Sequence, residues 1–257
     1  MFLLRKYENW RVLRLLKKNP VTFSSWQSVR GLSCMQHLSS VEKARLRVLA
    51  AVLLQQKKFT GVQGLELTQK MKLLIAAQAC VPVLKLGLNY YSSFTQVTVY
   101  PAAFWVERNE TDAFGVVHHA KRLLSGESWS RGPLILSWQD IEHDLRHDGY
   151  GHNVIIHEFV HKIDMLDQYA DGVPPFVSSA EAKNWGSVFR EAYQDLNKQL
   201  AHRHKPCIDA YAATSPAEYF AVVSECFFSD PRRLIKCSEK VYQALAIFYQ
   251  QEPIGRE

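Results

Sequence analysis

The spacing of hydrophobic positions changes twice along this chain. Between Ser40 and Lys58, residues Leu46, Leu49, Ala50, Leu53 and Leu54 fall at i, i+3, i+4, i+7 and i+8, the stripe of an amphipathic helix. Gly61 and Gly64 are expected to end it. Thr68 then stands where a cap is needed, ahead of a second helix that turns Met71, Leu74 and Ile75 inward and has Pro82 near its end. From Gln96 the apolar runs become short and β-branched or aromatic: QVTVY at 96–100, FWVE at 104–107, Val116 to His118, and PLILSW at 133–138. Gly, Pro, Asn and Ser separate them, and the stretch predicts three to five short strands. After Asn153 the helical period returns in VIIHEFVHKID. It continues from about Ser178 to Leu200, where Ser178 and Glu181 form a capping box ahead of Trp185, Val188, Phe189 and Ala192. Two further helices are predicted at about Ser215–Phe228 and Ser238–Gln250. Helices, then strands, then helices predict an α+β fold, a small sheet followed by a mostly helical lower half.

Composition narrows the class. A chain of 257 residues, 47% of them hydrophobic, can bury a sizeable core. No apolar stretch approaches the roughly 20 residues of a membrane helix. The opening MFLLRKYENWRVLRLLKK puts charge into every turn, so it lacks the apolar core of a secretory signal, and its Leu, Val and Trp fall on all sides of a helical wheel. The expectation is a cytoplasmic protein without membrane attachment. Cys34, Cys80, Cys207, Cys226 and Cys237 are odd in number, widely spaced and free of any Cys-x-x-Cys pair, and are expected to be reduced, mostly buried thiols. The formal charge of +6 is concentrated: residues 1–60 hold 12 Lys and Arg against Glu8 and Glu42, so the rest of the chain is slightly acidic. Residues 1–25 read as a basic, solvated segment and 26–257 as one domain. No helix-turn-helix, zinc-finger or RNA-binding signature accompanies the charge, so no direct nucleic-acid partner is expected.

The chemistry lies in HEFVHKID, residues 157–164. His157 and His161 are one helical turn apart, on one face and about 6 Å apart in rise. Two imidazoles so placed can share one tetrahedral Zn²⁺. Glu158 points roughly 100° around the helix. From there it can reach a water activated by the metal without ligating the metal itself, the H-E-x-x-H arrangement of zinc hydrolases. A third protein ligand is still required, and no further histidine follows closely. IDAYAATSPAEYFAVVSECFFSD, residues 208–230, offers Glu218 in the first turn of a helix and Glu225 seven residues on, nearly on the same face. Ser215 and Glu218 also make a capping box, so Glu218 could serve the helix start instead. Tyr211 is either a packing residue or a phenol beside the metal.

HEFVHKID and AYAATSPAEYFAVVSECFF together resemble the Mlc titration factor A family of zinc metallopeptidases and, more distantly, the catalytic domain of anthrax lethal factor. The blocks GLELT at 64–68, IAAQACVPVLKLGL at 75–88, VTVYPAAF at 97–104, SGESWSRGPLILSW at 125–138 and FYQQEP at 248–253 extend the resemblance over about Trp26 to Pro253. It implies a zincin-like α+β metallopeptidase with a small mixed sheet, preceded by N-terminal helices and holding one Zn²⁺ per chain. His157, His161 and Glu218 would be its ligands, Glu158 the general base, and Tyr211 the hydroxyl facing the oxyanion. Glu225 and Asp164 would stand behind the ligands and orient them. The implied activity is hydrolysis of peptide bonds, aminopeptidase-like, with binding of the glucose repressor Mlc and an effect on sugar-uptake genes. The alternative is a non-catalytic protein that sequesters the repressor and uses zinc structurally or as a regulator.

Overall fold

The computed structural model describes residues 21–102, 104–111, 117–124, 132–176 and 178–254; for 104–111 and 117–124 it describes the backbone alone. Most of the expected basic segment 1–25, Val116 and residues 125–131 lie outside the described residues. Two short helices, α1 (Phe23–Gln27) and α2 (Ser33–Gln36), lead into α3 (Ser40–Gln56). α3 opens on a complete capping box: Ser39 accepts from the Glu42 N–H, and the Glu42 carboxylate accepts from the Ser39 N–H. α4 (Gln69–Ala79) starts on Thr68, as its sequence predicts.

The glycines do not end α3. Lys57 turns the backbone extended, and its half-buried ammonium donates to the carbonyls of Tyr91 and Phe94. Lys58–Gly61 then forms strand β1. β2 (Gln96–Tyr100) lies at the centre of a three-stranded sheet in the order β1, β2, β5, with β5 at Leu134–Ser137. Lys58 stands opposite Gln96, and Val97 opposite Leu134. Both pairings are parallel, not mixed as expected. Parallel neighbours need a crossover of a dozen or more residues, and the long connections between these strands provide it. β3 (Phe104–Thr111) and β4 (Val117–Leu124) form a separate antiparallel ribbon, Phe104 opposite Leu124.

The lower half is helical: α5 (Trp138–Arg146), α6 (Val154–Asp164), α7 (Ser179–Ala201), α8 (Pro216–Ser229), α9 (Pro231–Cys237) and α10 (Glu239–Tyr249). An aromatic block joins α7, α8 and α10. Trp185 stacks on Phe189 at 3.8 Å between centroids, and Phe220, Phe176 and Phe248 surround it at 5.2, 5.3 and 5.5 Å. Pairs of this kind contribute about 0.5–1.5 kcal/mol each beyond the area they bury. α6 packs between α8 and β5, so it runs through the middle of the domain. Among the described residues no helix is long and apolar enough to cross a membrane.

The cysteines depart from expectation. Cys34, Cys80 and Cys226 are buried thiols, but Cys207 and Cys237 form a disulfide with Cα atoms 5.6 Å apart. The chain after α7 folds back on the end of α9, where Arg233 Nε also donates to the Cys207 carbonyl at 2.9 Å. Thirty residues of separation, with no motif around either cysteine, left nothing in the sequence to mark the pair. Replacing Cys207 and Cys237 together by Ser is expected to lower stability by about 2–4 kcal/mol. The check is the urea midpoint with and without reductant: wild type should fall to the level of the double variant once reduced.

Candidate metal centre

α6 is held at its start by a chain of buried polar contacts. Asn153 caps it, Oδ1 accepting from the Ile156 N–H at 3.0 Å, while Asn153 Nδ2 donates to Gln78 Oε1 at 2.6 Å. Asp144 Oδ2 accepts from the Val154 N–H at 2.7 Å. These contacts satisfy donors that a helix start leaves unpaired, and they put negative charge at the positive end of its dipole. Ile155, Ile156, Phe159, Val160 and Ile163 are buried, with the Phe159 ring 5.0 Å from Tyr91 and 5.8 Å from Phe94. The apolar faces being committed to the core, the polar face can only turn to α8.

There three donor atoms converge. His157 Nε2 and His161 Nε2 lie 3.1 Å apart, and Glu218 Oε2 lies 3.0 Å from the first and 3.4 Å from the second. Ligands at 2.0–2.1 Å around a tetrahedral zinc are separated by about 3.3 Å, so this triangle fits one face of such a centre. Two facing imidazole nitrogens and a largely buried carboxylate also need a cation between them. Among the described residues this is the one His, Cys, Asp or Glu group compact enough to hold a metal ion. Glu218 and Glu225 differ in direction. Ser215 accepts from the Glu218 N–H at 3.2 Å, but the Glu218 carboxylate turns to the histidines, which hold its pKa well below the usual range despite burial.

Glu225 sits behind His157. Its Oε1 lies 2.6 Å from His157 Nδ1, and its Oε2 accepts from the Asn153 N–H at 2.7 Å. Burial would lower the His157 pKa, but Glu225, followed by Glu218 and Glu158, raises it well above the usual value, the sign of a site that attracts positive charge. Carboxylates placed in this way fix the tautomer of a ligand histidine. Glu225→Gln is therefore expected to weaken zinc binding about 10- to 100-fold without unfolding the protein, measured by competition with a chromogenic chelator.

Glu158 is 2% exposed and its Oε2 has no hydrogen-bond partner. Burial raises its pKa above the usual carboxylate value, opposed by His157 and His161. Tyr211 sits on a short turn, Ala210–Ala213, with its ring 6.1 Å from that of His157; burial and the nearby Glu218 push its phenol pKa up. Asp164 differs from expectation. Its Oδ2 accepts from the Gly172 N–H at 3.1 Å, while its Oδ1 and His161 Nδ1 make no hydrogen bond. Burial raises it to about 7. It thus anchors the loop after α6 rather than a ligand ring. That loop reaches the base of α8: Gly172 has φ +75°, and a Cβ there would lie 2.4 Å from the Pro216 carbonyl oxygen.

Sequence reasoning missed Asn153, Gln78 and Asp144, which fix α6, and Asp209, which caps the Tyr211 turn by accepting from the Tyr211 N–H at 2.8 Å. An Asn immediately before VII and an Asp two residues before Tyr211 were usable cap signals; Gln78 and Asp144 depend on contacts between separate elements. His157, Glu158, Tyr211 and Glu225 line a cleft of about 390 Å³.

Two imidazoles one turn apart, a carboxylate from a second helix and an unpaired acid beside an open cleft are the donor set of a metal-dependent hydrolase. Residues 7–250 match the family described as Glucose-regulated metallo-peptidase M90, starting ahead of Trp26. Proteins named Mlc titration factor A are similar at matching length. The Klebsiella pneumoniae protein is 38% identical over 90% of this chain and 87% of its own, the Serratia proteamaculans protein 38% over 91% and 90%, and the Escherichia coli protein 39% over 90% and 87%. The chain belongs to the glucose-regulated metallo-peptidase M90 family.

Proposed function

We propose that this protein is a cytoplasmic zinc peptidase of the gluzincin type, with His157, His161 and Glu218 holding the ion and an aminopeptidase-like mode of cutting. The observation that carries the reading is the triangle of donor atoms at 3.0, 3.1 and 3.4 Å beside the unpaired, buried Glu158. A bound zinc would supply Lewis acidity at the scissile carbonyl and lower the pKa of water toward about 7. Glu158 takes the proton of the attacking water and passes it to the leaving amine. Tyr211 donates its hydroxyl hydrogen to the developing oxyanion, which a phenol with a raised pKa keeps available at neutral pH. Glu225 holds His157 through Nδ1. β5, at the sheet edge next to α6, is the strand on which an extended substrate backbone would pair.

The relatives' name favours a second activity: binding of the repressor Mlc, with consequences for sugar-uptake genes. A pure sequestering role with a structural or regulatory zinc is the competing account. Elemental analysis of wild type, His157→Ala and Glu218→Ala tests the metal centre. About one zinc per chain in wild type, much reduced in both variants, is the expected result; a metal-free wild type after incubation with zinc at neutral pH refutes the peptidase reading.

A further inference from the structure

The cleft beside Glu158 is anionic in a chain of formal charge +6. Its lining includes five carboxylates and three histidines but no Lys or Arg. A concave site with low-dielectric walls and one sign of charge selects ligands of the other sign. Most of these carboxylates are already engaged. Glu225 uses both oxygens on His157 and Asn153, Asp144 caps α6, and Glu158 is assigned above to the proton of the attacking water. Two remain. Asp140, in the first turn of α5, takes no hydrogen bond on its carboxylate among the described residues. Asp209 spends Oδ1 on the Tyr211 N–H, while among the described residues Oδ2 has only His152 Nε2 at 4.0 Å.

We propose that Asp140 and Asp209 are the specificity residues of this cleft and receive the ammonium group of a substrate's free N-terminus. The proposal rests on the peptidase reading and names what an aminopeptidase requires in addition to its metal: an anchor for the amine at a fixed distance from the scissile bond. Apart from these two acids, Glu158, buried and with Oε2 unpartnered, lines the same cleft, so the cleft is where a ligand meets the chemistry. Asp209 is well fixed for this task. It caps the Tyr211 turn and follows Cys207, which is tied to Cys237 by the disulfide and to Arg233 by a hydrogen bond. An amine held there therefore keeps its position relative to Tyr211.

A lysine side chain offers the same ammonium chemistry, so the test separates the two sources. Zinc-loaded wild type, Asp140→Asn and Asp209→Asn would be assayed on Leu-Ala-Phe amide, its N-acetyl form, and N-acetyl-Lys-Ala-Phe amide. Asn at 209 still caps the turn, so the fold is preserved. Acetylation should lower wild-type kcat/KM about 10- to 100-fold, with the loss mainly in KM, and each Asp→Asn change should raise KM for the free-amine peptide by a similar factor while shrinking the effect of acetylation. Calorimetric binding of leucinamide to the Glu158→Gln protein, alone and combined with each Asp→Asn change, reads the same contact without hydrolysis. Loss of leucinamide binding in the combined variants supports the assignment even if no peptide is cut, a result in which only the peptidase reading fails. Equal cutting of free and acetylated peptides, or unchanged leucinamide binding in the combined variants, overturns it while leaving the peptidase reading intact. Preference for N-acetyl-Lys-Ala-Phe amide, whose side-chain amine is free, overturns it in favour of a side-chain ammonium.

Discussion

Glu158→Gln is expected to reduce peptide hydrolysis about 10²- to 10⁴-fold while zinc content stays at the wild-type level. Gln keeps the shape of the side chain and removes the one property the mechanism needs, a carboxylate able to accept a proton. The three ligand atoms belong to other residues, so their triangle is untouched. Burial raises the Glu158 carboxyl above the usual carboxylate value, and His157 and His161 oppose the rise. Steady-state kinetics with elemental analysis on the same preparation decide the matter, and hydrolysis within a few-fold of wild type would remove Glu158 from the mechanism. Binding of Mlc to this variant, measured in parallel, separates the two activities. A catalytic protein loses hydrolysis and keeps its partner, whereas a pure sequestering protein has no hydrolysis to lose.

Gly172→Ala is expected to destabilise the protein by about 2–5 kcal/mol, adding a left-handed backbone penalty to an overpacked contact. At φ +75°, its Cβ would meet the Pro216 carbonyl carbon at 2.8 Å as well as the oxygen at 2.4 Å. Neither atom can swing away, because both belong to the first residue of α8. Retreat of Gly172 is blocked as well: its N–H is held by Asp164 and its carbonyl accepts from Trp185 Nε1 at 2.8 Å. Strain relief therefore has to displace the start of α8, and Glu218 lies two residues along it. Weaker zinc binding should accompany the lowered urea midpoint. Gly186→Ala is the control: it lies within α7, where an added Cβ would have nothing within 4 Å, and should stabilise by about 0.5–1 kcal/mol. An unchanged midpoint for Gly172→Ala would show that the contact at Pro216 is not a constraint.

Features written locally were legible in the sequence. Thr68, Ser178, Ser215 and Ser238 each cap the helix they were expected to begin, because a cap is a contact over three residues. The histidine pair follows from helical pitch alone. Features that depend on distant partners were not legible. KFTG is too short to announce a strand, and β1 exists because β2 offers an edge. Strand direction has no local signature, which is why the parallel sheet was expected to be mixed. α5 is the exception, a local signal that went unread: Trp138, Ile141 and Leu145 stand at i, i+3 and i+7 and pack on the core, but the helix begins inside the run PLILSW that reads as a strand. The cysteine pair and the Gln78–Asn153 contact join segments that meet only after folding, whereas the Asp209 cap on the Tyr211 turn spans two residues and was there to be read. Glu218 is the intermediate case: Ser-x-x-Glu reads as a capping box, and only the assembled helices show the carboxylate turned the other way.

The placement of the donors on two helices also sets an order of events during synthesis. His157 and His161 leave the ribosome together, but Glu218 follows His161 by 57 residues, and Glu225 comes later still. At about 5–20 residues per second, the histidine pair waits roughly 3–11 s for its carboxylates. A nascent chain therefore offers a two-nitrogen half-site with little selectivity before it offers a zinc site. The last quarter of the chain carries the facing carboxylates, so truncation after α7 would leave the motif intact and only the two-nitrogen half-site to meet a metal.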